Sequence, residues 1–302
     1  MIVTRLRGRP PARRDDEHIL RRRLRSATKR ALAVVAPAPL DNRRVLLIFG
    51  CQRSGTTMLQ QTFLDRSRRI LILEEHDRRL VGGDPERIQW RPLTEVAAQI
   101  RRLPFELVVA KPLVESHRVL QILDVLPTAR AVWLLRSYRD VALSNVRKFG
   151  AAKGFDDIRR VVEGSVTDWR RAGASDRTVQ TLTEFRRLDL TALDAAALFW
   201  WVRNRLFYEQ NLQSDRRVLL LRYEALIREP ETCLARVTEH GGFRRGLRSP
   251  AKRVRSNSHN PGSTLSAPVE ALCAELWSEF GWLKGDDLAP RASRRRAGCD
   301  AG

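Results

Sequence analysis

Two groups of residues in this 302-residue chain have types and spacings suited to chemistry on an anion. The first lies in the run Val45-Leu-Leu-Ile-Phe-Gly50-Cys-Gln-Arg53-Ser54-Gly55-Thr56-Thr57. An apolar stretch ends at one glycine, and a second glycine bounds the loop before a helical pattern begins. Such a loop lets consecutive backbone N–H groups converge on a phosphate at the helix start. The glycines supply the backbone path and the close approach that a phosphate requires. Ser54, Thr56 and Thr57 add hydroxyl donors. The Gly50–Gly55 spacing is that of the nucleotide-binding loop G-x-x-x-x-G-K-[ST]. Here the lysine position holds Thr56, so the cation that reaches the β- and γ-phosphates of a triphosphate is missing. The ligand implied has a shorter 5′ group, and the basic residue stands inside the loop as Arg53.

The second group is one residue, Lys111. Only six of the 56 basic residues are lysines, and this one ends the apolar run Leu107-Val-Val-Ala. A cation at the carboxyl end of a parallel strand faces the crevice where ligands bind. There it can stabilise negative charge that develops during a reaction.

These residues need a rigid frame, and the pattern around them supplies one. Short apolar runs recur at Val45–Phe49, Ile70–Leu73, Leu107–Ala110, Ala131–Leu135 and Val218–Leu221, several rich in β-branched residues. Buried parallel strands have this appearance. Helical patterns lie between and after them, at Thr57–Asp65, Thr94–Arg102, His117–Val125, Asp140–Phe149, Leu190–Leu212 and Glu231–His240. Alternation of this kind predicts an α/β fold of three layers around a central parallel sheet. The stretch from about 149 to 215 carries no strand signal and reads as a helical insertion over the ligand edge of the sheet. Residues 45–287 read as the folded domain, 1–44 as a loosely ordered basic arm with one helix around 17–33, and 288–302 as a tail.

Composition bounds the remaining choices. The hydrophobic share of 43% excludes a fully disordered chain, and the length allows one large core. The net charge of +21 points to an anionic partner. Residues 1–44 carry 13 Lys and Arg against 4 Asp and Glu, so much of the excess sits in the arm. The arm reads as a surface for peripheral contact with an anionic membrane. A specific nucleic-acid interface would interleave basic and aromatic residues on one face, which the sequence does not do. Cys51, Cys233, Cys273 and Cys299 are widely spaced and form no CxxC pair, so neither a disulfide framework nor a zinc site is expected. The run Ala31–Leu40 is too short and proline-broken to span a bilayer. The expected location is the cytoplasm.

The loop Arg53-Ser-Gly-Thr-Thr57 after a strand resembles the 5′-phosphosulfate-binding loop of sulfotransferases that use 3′-phosphoadenylyl sulfate (PAPS). The segment Ala131-Val-Trp-Leu-Leu-Arg136-Ser-Tyr-Arg-Asp-Val-Ala-Leu-Ser144 resembles the same family's 3′-phosphate segment, in which a strand ends in Arg and a Ser follows eight residues later. An arginine fork and a nearby hydroxyl can hold one phosphate dianion together. A third segment, Val218-Leu-Leu-Leu-Arg-Tyr223-Glu-Ala-Leu-Ile-Arg-Glu-Pro230, is similar to the family's late strand and turn. It leaves Tyr223 either against the nucleotide or as a packing residue. The resemblance spans roughly residues 45–242.

It implies a P-loop NTPase-like sheet, PAPS as donor, a hydroxyl-bearing acceptor (a saccharide, lipid or small molecule) and no required metal. It also implies that Arg53, Ser54, Gly55, Thr56 and Thr57 hold the 5′ end of the donor, that Arg136 and Ser144 hold its 3′-phosphate, and that Lys111 stabilises the transferring group. The subtype with a histidine two residues after the lysine is not matched, because Leu113 stands there. The resemblance is instead to the glutamate-base type, as in the tyrosylprotein and carbohydrate sulfotransferases. That assigns the base to Glu75, in Ile70-Leu-Ile-Leu-Glu74-Glu75-His76, with Glu74 and His76 as alternatives. His117 is expected on a helix surface. Phe199-Trp200-Trp201 and Phe207-Tyr208 read mainly as core, with some of them available to line an acceptor pocket. Arg253–Asn260 is a weak candidate for a late basic loop. The competing readings are a P-loop kinase or NTPase, which lacks its lysine here, and a basic nucleic-acid-binding protein.

Overall fold

The computed structural model describes residues 43–63, 70–82, 88–243 and 264–282. The basic arm, the helix expected around 17–33, the segment Arg253–Asn260 and the tail lie outside the described residues. Five strands form one sheet: β1 (Arg44–Phe49), β2 (Ile70–Leu73), β3 (Leu107–Ala110), β4 (Ala129–Leu135) and β5 (Val218–Arg222). Their order is β2-β3-β1-β4-β5, and every pairing is parallel. Each of the five apolar runs is therefore a strand. The chain crosses from β3 past β1 to β4, so the loops that leave β1, β3 and β4 share one edge of the sheet. A crevice at such a switch in strand order is where an open α/β sheet binds ligands.

The strands are apolar on both sides because both sides are covered. Val45, Leu47 and Phe49 join one core cluster, while Leu46 and Ile48 join another. On one face lie α1 (Thr56–Thr62), α9 (Tyr223–Arg228) and α10 (Pro230–Gly241), which contribute Leu59, Leu226, Leu234 and Val237. On the other lie α3 (Leu93–Arg101), α4 (Val119–Val125), α5 (Tyr138–Phe149), α8 (Ala192–Glu209) and α11 (Ala267–Trp282). A short α2 (Arg78–Val81) follows β2. The fold is thus three-layered, helices on both faces of a parallel sheet, with P-loop NTPase-like strand order.

Between β4 and β5 the described chain holds no strand and four α-helices joined by turns: α5, α6 (Ala152–Glu163), α7 (Asp176–Phe185) and α8. The longest of these, α8, is apolar nearly all round, as a helix must be when other elements surround it. Thr191 and Asp194 start it with a capping box, which satisfies two of the N–H groups left over at a helix start. Its polar side chains reach the ligand edge of the sheet. Trp200 Nε1 donates to the Arg136 carbonyl at 2.9 Å, and Asn204 Oδ1 accepts from Trp133 Nε1 at 3.2 Å. Helix α11 packs against α8 through Val269, Cys273 and Phe280, an element that the sequence pattern alone does not announce.

A buried carboxylate docks α6 onto the sheet edge. Asp157 is 0% exposed and pairs with Lys153 and, at 2.7 Å, with Arg170. It also accepts from Gln52 Nε2 at 3.4 Å, which joins the insertion to the loop after β1. Removing one partner of a buried ion cluster strands the others. Asp157→Ala is expected to lose about 3 kcal/mol of stability in urea denaturation; a loss under about 1 kcal/mol, the worth of an exposed pair, would show that the cluster does not hold the insertion down.

Candidate active site

The loop after β1 follows a path that most residues resist. Gly50 has φ 129°, and a Cβ there would lie 2.4 Å from the Leu134 carbonyl oxygen. Gly55 has φ 88°, and a Cβ there would meet the Tyr223 ring at 2.4 Å. Arg53, between them, is left-handed at φ 69° although it is not glycine. This path turns the chain sharply off β1 and into α1. It buries Ser54 and Thr56 and leaves Thr57 exposed.

Arg136, at the end of β4, braces the strained residue. Its Nη1 donates to the Arg53 carbonyl at 3.1 Å, and its guanidinium lies 4.4 Å from the Tyr223 ring centre. Arg53 in turn donates from Nε to Ser144 Oγ at 3.1 Å. Arg53, Arg136, Ser144 and Tyr223 therefore form one cluster, with Ser144 meeting Arg53 rather than Arg136. The Ser137 N–H donates to Glu224 at 2.8 Å and ties the β4 end to the β5 turn. Tyr223 packs against both Gly55 and Arg136, so its place is beneath the loop.

Lys111 leaves β3 beside this loop. Its Nζ donates to Thr57 Oγ1 at 3.1 Å and lies 3.8 Å from Glu75 Oε2. Glu75 and His76 line the same cavity as Lys111, Thr56 and Thr57, whereas Glu74 is exposed and not part of that lining. Burial pushes the Glu75 carboxyl above the usual carboxylate range, and the Lys111 ammonium pulls it partly back.

The donor set suits a ligand carrying phosphate groups. Ser54 Oγ and Arg136 Nε are buried without a partner among the described residues. Buried polar atoms in native proteins are nearly always paired, so such orphans mark a place for acceptor oxygens. Arg53, Arg136, Lys111 and the hydroxyls of Ser54, Thr56 and Thr57 gather there, with Glu75 beside Lys111 and Asp140 3.9 Å from Arg136. Among the described residues no group of three or more His, Cys, Asp or Glu could hold a metal ion, and no helix is long and apolar enough to cross a membrane.

The cavity, about 250 Å³, continues from these residues to Leu113, Val114, Phe149, Trp169 and Phe199. Phe199 is thus the member of the aromatic run that reaches the site, while Trp200 and Trp201 are core. Trp169, Gln52 and Arg203 are lining residues with no motif to reveal them in the sequence. Arg203 is 2% exposed, and burial pulls its guanidinium down to about 10. Its Nη1 and Nη2 donate to the carbonyls of Trp169 and Leu113, both at 2.8 Å. His117 is not on an open surface. It is half-buried against Gly173, and burial lowers its imidazole to about 4.

The sulfotransferase domain profile matches residues 43–258. No curated protein matches the chain. Among solved structures, the sulfotransferase domain of the Synechococcus PCC 7002 olefin synthase is similar at 17% identity, with a TM-score of 0.49 over 80% of this chain and 95% of that one. A sulfotransferase from Alicyclobacillus acidocaldarius is similar at 14% identity and a TM-score of 0.42, over 80% of this chain and 92% of that one. A mouse sulfotransferase complexed with PAP is similar at 12% identity and a TM-score of 0.37, over 84% of this chain and 86% of that one.

The environment of Glu75 carries a consequence for stability. A carboxyl raised in the folded state favours folding while it stays protonated, and that contribution is lost as pH rises through the raised value. At pH 7 the ionised group opposes folding. Glu75→Gln, which removes the charge and keeps the shape, is therefore expected to raise the thermal midpoint at pH 7. The difference from wild type should close as pH falls toward 4. A variant less stable than wild type at pH 7 would show that the Lys111 pairing outweighs the burial.

Proposed function

This chain belongs to the sulfotransferase domain family, and from that premise we propose that it moves a sulfuryl group from PAPS to a hydroxyl of its acceptor. The observation that carries the reading is the convergence of Lys111, Thr57 and Glu75 in one cavity with the loop that bears Arg53. Sulfuryl transfer needs a proton acceptor for the hydroxyl, a cation for the charge that moves to the departing oxygen, and a rigid cradle. Each requirement has a residue within this cluster.

In this reading Arg53, Ser54, Gly55, Thr56 and Thr57 hold the 5′ end of the donor. The loop supplies backbone N–H groups and three hydroxyls, and the orphaned Ser54 Oγ gains a partner. Arg136 and Ser144 hold the 3′-phosphate, with Arg53 between them and Tyr223 as the platform that fixes the arginine fork. When bound, the donor supplies the sulfuryl group and a phosphate able to leave with negative charge.

Lys111 Nζ, oriented by Thr57, sets a positive charge beside that leaving oxygen. Glu75 accepts the proton of the acceptor hydroxyl. Its two neighbours act on it in opposite directions. Burial makes the carboxylate a better proton acceptor, and the Lys111 ammonium favours its ionised form. Activity accordingly rises with pH through the elevated Glu75 value. Phe149, Trp169 and Phe199 of the helical stretch, with Leu113 and Val114 after β3, supply the apolar part of the cavity lining.

Calorimetric titration with adenosine 3′,5′-bisphosphate, set beside ATP, tests the donor. The bisphosphate is expected to bind at least tenfold tighter than ATP, and no binding by folded protein would sink the assignment. Arg136→Ala should weaken it by about 10- to 100-fold, the worth of hydrogen bonds to a charged group. Glu75→Gln should keep bisphosphate binding and lose at least about a hundredfold in turnover. Full turnover in that variant would move the base to Glu74 or His76.

A further inference from the structure

We propose that Trp200 is a positioning residue for the 3′-phosphate site. Its indole N–H and the Glu224 carboxylate lock the Arg136–Ser137 peptide from two sides, and the locked peptide aims the Arg136 guanidinium. This rests on the assignment of Arg136 to the 3′-phosphate and adds how that arginine is held.

The sheet does not hold this peptide. The pairing of β4 with β5 ends at Leu135 and Arg222, one residue before it. A peptide unit is planar, so its carbonyl and its N–H point to opposite sides and turn together. Here both are gripped by side chains. The Arg136 carbonyl accepts from Trp200 Nε1 at 2.9 Å, and the Ser137 N–H donates to Glu224 Oε1 at 2.8 Å. The two grips come from different helices, α8 and α9. Together they oppose rotation of the plane, and with it of the Arg136 side chain beside it.

The Trp200 grip is itself rigid. Trp200 is fully buried, and its ring packs against Tyr138 and Trp277 at 5.5 and 6.3 Å. Asn204, one turn along α8, donates to the Trp200 carbonyl at 2.9 Å and accepts from Trp133 on β4. Precision matters at Arg136. Its Nη1 is committed to the Arg53 carbonyl, its Nη2 lies 3.9 Å from Asp140, and its Nε is buried without a partner among the described residues. A phosphate must be met by this braced, planar fork, which tolerates little misdirection. Because an arginine side chain is long, a small turn of its peptide becomes a large displacement at the fork. A core tryptophan without this role would contribute packing alone.

The test titrates the full chain, well below every thermal midpoint, with adenosine 3′,5′-bisphosphate and with adenosine 5′-monophosphate, which lacks the 3′-phosphate. Trp200→Phe keeps most of the ring and removes the N–H, and Trp201→Phe does the same to the neighbouring core tryptophan. Trp200→Phe is expected to weaken the bisphosphate about tenfold and the monophosphate less than about twofold, so the preference between them falls. Trp201→Phe should keep the wild-type preference. Glu224→Ala should lower it as Trp200→Phe does. Glu224→Gln still offers an oxygen to the Ser137 N–H and should stay within about threefold of wild type. The Trp200→Phe, Glu224→Ala double variant should lose little more than either single one, because both act on one peptide. Without ligand, hydrogen exchange at the Ser137 amide should quicken by at least about tenfold in Trp200→Phe and not in Trp201→Phe. The proposal is overturned if Trp200→Phe keeps the wild-type preference or the wild-type exchange rate, if Trp201→Phe lowers the preference as much, or if Glu224→Ala leaves it unchanged. A wild type with no preference for the bisphosphate would instead remove the 3′-phosphate assignment, and amide exchange would still decide whether Trp200 locks the peptide.

Discussion

The backbone path from Gly50 to Gly55 is the constraint on which the rest of the site depends. Three of its six residues have positive φ, and one of them, Arg53, is not glycine. A left-handed side-chain-bearing residue costs roughly 1–2 kcal/mol, so it persists only where its surroundings hold it. Arg136 grips its carbonyl and Ser144 its guanidinium. The same contacts draw the β4 end and the α5 helix onto the loop. The strained residue therefore organises three segments that are up to 91 positions apart in the chain.

The insertion between β4 and β5 completes this arrangement from above. It cannot rest on apolar contacts alone, because it lies against a polar sheet edge. Buried charges take over there: Asp157 among Lys153, Arg170 and Gln52, and Arg203 among carbonyls and the Trp169 ring. Helix α8 links both sides. Its aromatic residues fill the core, and Trp200, Arg203 and Asn204 hydrogen-bond to β4, the β4 end and the cavity wall. Burial of these polar groups is tolerated because each has a partner.

At the centre, Lys111 and Glu75 balance each other in a partly dry cavity. Burial favours the protonated carboxyl, and the Lys111 ammonium favours the carboxylate. Their separation of 3.8 Å is longer than a tight hydrogen-bonded pair, so each stays available to a ligand.

Much of the fold was legible in advance. Five apolar runs became five parallel strands because strands buried on both faces need continuous apolar sequence. The loop and the family motifs in Arg53–Thr57 and Arg136–Ser144 were legible because contiguous backbone geometry demands particular residues at particular spacings, as Gly50 shows against the Leu134 carbonyl. Helix α11 was not legible, since its placement comes from packing on α8. Neither were Trp169, Arg203 and Asp157, which carry no local signature and acquire roles through neighbours distant in sequence. The preference for Glu75 over Glu74 began as a resemblance; in the structure Glu75 lines the cavity 3.8 Å from Lys111, and Glu74 is exposed and outside that lining. The sequence by itself determined the strands, the turn and the charged residues at strand ends, because those depend on local geometry and hydrophobic pattern. Only the tertiary structure decided which of those charges meet, which are desolvated, and which side chains line the cavity, because desolvation and contact are properties of the packed chain.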